Sequence, residues 1–173
     1  MSFRRILLLC GTVVVVTVCF GVGVASAQTG TKAIPKVTAA DHAYAIRRKS
    51  IMVKFFVTYE KIQSRPIPKL APGLTGQQKR DITARDEDET VITASRSHKE
   101  LSALTPPPSL RPLHLASLNM LATVRDTHKD FAAAYRGNDR KKARAAAKAM
   151  DERLDAAYLR MTQAGEEAAK KLG

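Results

Sequence analysis

Four histidines, a run of four acids and two cysteines are the residues of this chain best placed to do chemistry, and their spacing limits what chemistry that is. His114 and His128 fall in one apolar-patterned stretch, separated by about four helical turns. On a helix that separation is about 21 Å, so the two cannot share an ion. A metal site inside a helical bundle also takes inward carboxylates, commonly as Glu-x-x-His, and the chain has no such pair. With His42 and His98 isolated as well, no metal site is expected, and His114 and His128 read as boundary residues bonded to a neighbouring helix. Asp86, Glu87, Asp88 and Glu89 are consecutive, whereas a calcium loop alternates its oxygen ligands around a Gly turn. They read as a solvated helix face. Asp151, Glu152 and Asp155 read the same way, paired with Lys148 and nearby cations at helical spacing.

Catalysis finds no foothold either. Both cysteines, Cys10 and Cys19, lie near the N-terminus, so the chain beyond Cys19 has no thiol for catalysis, zinc or a disulfide. Cys-x-x-Cys-His, which would attach haem, is missing. So are Gly-x-Ser-x-Gly, a phosphate loop, a dinucleotide fingerprint and His-Glu-x-x-His. The expectation is a non-enzymatic protein without a cofactor.

Charge is the more informative feature. The 173 residues carry 29 Lys+Arg against 16 Asp+Glu, a formal +13, and no Trp. The length suits one domain. The charge favours polyanions: anionic lipid, acidic wall polymer or nucleic acid. Arg136, Arg140, Lys141, Lys142, Arg144 and Lys148 cluster around one predicted helix start, and Arg47, Arg48 and Lys49 lie on another helix. Cations at a helix N-terminus oppose its dipole, so placing them there has a local cost. These nine residues are the candidate contacts to an anionic surface. Nucleic acid is not expected, because stacking aromatics are not interleaved with the cations.

Residues 1–27 have the form of an export signal. Arg4 and Arg5 precede the uncharged stretch from Ile6 to Val24, and Ala25-Ser26-Ala27 is the small-x-small site of a signal peptidase. The stretch is nearly long enough to span a bilayer, so an uncleaved anchor is the rival form, and membrane contact is expected only if this segment is retained. Either form places the body of the chain outside the cytoplasm, secreted or in the periplasm or envelope. Residues 28–38 read as an extended lead-in.

From residue 39 onward the pattern is helical. Helices are expected at about 39–64, 75–104, 109–136 and 139–172, separated by the Pro-rich 65–74 segment, by Pro106-Pro107-Pro108 and by Gly137. Thr38 or Asp41 caps the first, whose apolar side runs Tyr44, Ile51, Phe55 and Ile62. Thr75 and Gln78 form a capping box on the second. The third has a seam in steps of four and three: Leu110, His114, Ser117, Leu121, Val124, His128, Phe131 and Tyr135. Gly137 supplies a left-handed stop, and Asn138 or Asp139 caps the fourth helix. That helix has a small-residue seam of Ala143, Ala147, Met150, Leu154, Ala157, Met161, Ala164 and Ala168. The expected fold is all-α, an up-down-up-down antiparallel four-helix bundle following the signal segment. A homodimer would add buried surface.

The stretch LSALTPPPSLRPLHLASLNML followed by FAAAYRGND and an Ala-rich helix resembles a recurrent pattern of small exported bacterial helical-bundle proteins of uncharacterised function. The likeness covers about a third of the chain, implies an extracytoplasmic helical bundle, and brings no catalytic residues. Leu74-Thr75-Gly76-Gln77-Gln78 resembles the Leu-Thr-x-x-Gln motif of Spy/CpxP-type periplasmic stress chaperones, which normally carry a second copy. Here Leu104-Thr105 runs into prolines instead. The first expectation is thus an envelope protein with a binding or structural role, touching anionic surfaces through its basic helix faces. A chaperone of the Spy/CpxP kind is the alternative, and an enzyme of unrecognised type the third.

Overall fold

The computed structural model describes residues 37–66 and 72–172, and every regular element among them is helical. The signal segment and residues 28–36 of the lead-in lie outside the described residues. The first helix, α1, is Ala39–Gln63. It is followed by α2 (Gly76–Thr83) and α3 (Arg85–Ser102). A 3-10 turn over Pro108–Leu110 leads into α4 (Arg111–Arg136), and α5 is Arg140–Leu172.

Local signals set most of these ends. Thr38 caps α1, its hydroxyl accepting from Asp41 N–H while the Asp41 carboxylate accepts from Thr38 N–H at 2.9 Å. Thr75 and Gln78 make the same reciprocal pair on α2. Asp139 caps α5, taking the N–H groups of Lys141 and Lys142 at 3.0 and 2.9 Å.

The structure departs from the sequence pattern at two places. The stop between α4 and α5 is not a left-handed glycine: Gly137 is right-handed, with φ −66°, and Asn138 has φ 57°. Asn enters that region more readily than most residues, and the Asn138 N–H bonds back to Tyr135 O at 3.3 Å. The helix expected over 75–104 bends at Ala84, which has φ −79° and ψ −3°. Hydrogen bonds continue on both sides, from Ala84 N–H to Arg80 O and from Asp88 N–H to Ala84 O. The buried positions of α3 are Thr90, Ala94, Ser97 and Leu101. Ala84 is also buried but sits one residue out of step with that series, and the bend lets both point inward.

One core joins α1, α3, α4 and α5. It contains Met52, Phe55, Tyr59, Ala94, Leu101, Met120, Leu121, Val124, Leu154 and Ala157, all buried. Helix α4 is central: the seam from Leu110 to His128 is buried, and α4 packs closely on both α3 and α5. Along α4 and α5 the residue numbers run oppositely, with Asp130 beside Arg153 and Leu113 beside Gly165. Along α1 and α4 they rise together, because Tyr44 meets His114 and Tyr59 meets His128.

Candidate functional site

The polar groups that the fold gathers lie mainly on the inner face of α1. Tyr44, Phe55, Tyr59 and Ile62 are buried there at helical spacing, so the hydroxyls of the two tyrosines must find partners inside. Tyr44 Oη is 2.9 Å from His114 Nδ1, and Tyr59 Oη is 3.3 Å from His128 Nε2. Between them, Arg48 donates from Nε and Nη2 to Ser117 Oγ at 3.0 and 2.7 Å, and Ser117 donates onward to Leu113 O. On its far side His128 bonds through Nδ1 to the Glu87 carboxylate of α3.

Electrostatics follow from burial. The Tyr44 phenol is pushed up by loss of water, and the same desolvation lowers the Arg48 guanidinium. His114 is held below its ordinary value, first by burial and then by the nearby Arg48 charge. The imidazole is therefore favoured in its neutral form, and it bonds a tyrosine rather than an acid.

The acidic run also has a different role from the solvated face expected of it. Consecutive residues point in different directions around a helix, and here each of the four acids finds a partner. Asp86 and Glu89 hold Arg65, just beyond the end of α1, at 3.0 and 2.6 Å. Glu87 holds His128, and Asp88 forms two hydrogen bonds with Arg136. Arg136 lies 3.5 Å from Asp81 as well, and Arg80 donates to the Arg136 carbonyl. These carboxylates raise Arg65 and Arg136 above their ordinary values, chiefly by accepting hydrogen bonds from them. The run ties α3 to the ends of two other helices.

Among the described residues no group of three or more His, Cys, Asp or Glu is arranged to hold a metal ion. An open depression of about 580 Å³ lies beside Thr38, Asp41 and Pro106–Ser109, and a groove of about 160 Å³ runs between α4 and α5. The groove is lined by Asn119, Thr123, Arg153, Ala156, Ala157 and Arg160. Tyr44, Glu87, His114 and His128 line neither.

The nine candidate cations separate into two groups. Arg48 and Arg136 are bound to the protein itself, as described. Arg47 and Lys49 stand exposed on α1, and Arg140, Lys141, Lys142, Arg144 and Lys148 are exposed along the first turns of α5. In that second group, among the described residues, only Lys142 and Lys148 have acidic neighbours, at 3.8 Å from Asp139 and 3.7 Å from Glu152. Both are open, weakly binding surface pairs.

The roles of Tyr44, Tyr59 and Glu87 escape a reading of the sequence, although one signal was present. The interval from Tyr44 to Tyr59 and that from His114 to His128 are each close to four helical turns. Two matched pairs on helices running the same way can meet at both ends at once, and here they do. No helix among the described residues is long and apolar enough to cross a membrane. Comparison with protein-family models, curated proteins and solved structures yields no match to this chain.

Proposed function

We propose that this is an exported, non-enzymatic protein of the cell envelope with a binding or structural role, and that it contacts anionic surfaces through its basic helix faces. In this reading residues 1–27 direct export, and the remainder is an up-down-up-down antiparallel four-helix bundle. The opposed residue numbering of α4 and α5, and the common direction of α1 and α4, support that topology.

The observation that carries the reading is the contrast between spent and unspent cations. Arg65, Arg136 and Arg48 each have a partner within the fold, while the α5 run from Arg140 to Lys148 stands in solvent with two loose acidic neighbours. An anionic surface would neutralise that run at about 1 kcal/mol per cation near it. The tyrosines, histidines, Arg48 and Glu87 of the interior are engaged with one another, which favours a binding or structural role over a catalytic one, and Asp155 Oδ1 is a buried side-chain oxygen without a hydrogen-bond partner among the described residues.

Two measurements test the proposal together. Cell fractionation with N-terminal sequencing should find the protein outside the cytoplasm, either starting at Gln28 or retained on a membrane by its first segment. Anionic wall polymer or anionic vesicles should bind it in low salt and release it as salt screens the charges. Replacing Arg140, Lys141, Lys142 and Arg144 by Gln should weaken that binding at least about tenfold. Cytoplasmic retention, or binding indifferent to salt and to these replacements, would refute the reading.

A further inference from the structure

The outer face of α1 carries an apolar stripe that the bundle leaves open. Ile46, Val53 and Val57 are 68%, 51% and 61% exposed. Their spacing, i, i+7 and i+11, places them on one line along the helix. Three aliphatic side chains in a row on one helix differ from the isolated exposed residues found on any surface. Beside this line stand Lys49 on one flank and Arg47, Lys54 and Lys61 on the other, all exposed. The only exposed acid on α1 is Glu60, which ends the same line seven residues after Val53. Asp41, the other acid of the helix, is buried in the cap.

We propose that this face of α1 lies on the surface of an anionic lipid bilayer, with Ile46, Val53 and Val57 entering the headgroup–acyl boundary and the four cations resting on lipid phosphates. With its opposite face taken by the core, α1 offers a bilayer one contact face, an apolar line with cations on its flanks, which lies in the interface without spanning it. Charge decides against the other occupant such a stripe suggests. A second copy of α1 packed on the same line would bring two sets of four cations together, whereas a bilayer of anionic lipid supplies the missing counter-charge. The α5 basic run differs because it offers cations over alanine and would hold an anionic polymer as readily as a lipid. Contact with apolar acyl chains is what α1 adds. The inference rests on the anionic-surface reading above and narrows it to one helix and one surface.

The test uses the protein in the N-terminal form that export leaves, identified by mass spectrometry and kept the same for every variant. Binding is measured by sedimentation with vesicles of phosphatidylcholine alone and with about one third phosphatidylglycerol. Wild type should bind the anionic vesicles more tightly. The triple variant Ile46→Gln, Val53→Gln, Val57→Gln should lose about tenfold or more of that affinity while keeping its helical circular dichroism and melting temperature. Because the chain has no tryptophan, Val53→Trp is a single reporter whose emission should shift to the blue on anionic vesicles. Brominated acyl chains should then quench it. If the triple variant binds as wild type does, or the indole of the Val53→Trp variant emits as in water on bound protein, the proposal for α1 fails while the wider reading stands. A dimer lost in the triple variant, with no vesicle binding, would assign the stripe to a second copy. If wild type binds neither vesicles nor wall polymer, both readings fail together.

Discussion

On its α1 side, helix α4 meets rings, hydroxyls and a guanidinium; on its α5 side it meets alanine, glycine and a few larger apolar groups. The first contact is a ladder of Tyr44–His114, Arg48–Ser117 and Tyr59–His128, with Glu87 closing it from α3. The second passes through Leu154, Ala157, Gly165 and Ala168 and brings the helix backbones close. Small residues permit close approach, but one alanine resembles the next. Sliding α5 by a turn would largely exchange Ala164 for Ala168. Sliding α1 by a turn would separate both Tyr–His pairs and Arg48 from Ser117, leaving buried polar groups without partners. The ladder therefore selects the register and the alanine seam supplies close contact, the division seen where a buried polar residue specifies pairing in a coiled coil.

The largest expected effect comes from breaking the ladder at its most buried rung. His128→Ala should destabilise the protein by about 2–4 kcal/mol in urea or thermal unfolding, because a cavity opens and the Glu87 carboxylate loses its partner. Combining it with Glu87→Gln should show non-additivity of about 0.5–3 kcal/mol. A loss below about 0.5 kcal/mol, with additive effects, would mean that this rung does not fix the pairing.

Legibility in the sequence followed the same division. The helices could be read because apolar spacing and capping are local: the α4 seam from Leu110 to His128 and the Thr75–Gln78 box needed only neighbours in sequence. The acidic run could not, since its partners Arg65, His128 and Arg136 arrive only when three elements pack. Arg48 looked like its exposed neighbours Arg47 and Lys49, and only the position of α4 turns it inward to Ser117. The bend at Ala84 follows from a phase mismatch between two buried series, which appears once burial is known.

A smaller effect, opposite in sign, is expected on the other seam. A Cβ on Gly165 would meet Leu113 Cδ1 at 3.9 Å, an ordinary van der Waals contact. Gly165→Ala should therefore raise stability by about 0.5–1 kcal/mol through helix propensity and a less flexible unfolded chain. For a chain of this size that corresponds to roughly 1–4 °C in melting temperature. A fall in melting temperature would show that α4 and α5 are closer, and their seam more specific, than its composition implies.

The smallest effect separates the seams by titration. Burial, assisted by the Arg48 charge, holds His114 below its ordinary 6.5 in the folded protein. As pH falls through 6.5 the unfolded chain takes up this proton and the folded one does not, so stability declines down to the folded value and levels off below it. Above 6.5 the imidazole is neutral in both states and contributes no slope. His114→Gln should therefore flatten the dependence of melting temperature on pH between about 7.5 and 5 relative to wild type. Arg48→Met should flatten it in part, because one of the two causes of the depression is removed. Gly165→Ala changes no titrating group and should shift the whole curve without altering its shape. If all three variants kept the wild-type shape, the proton on His114 would be uncoupled from folding, and the Tyr44–His114 rung would be open to water.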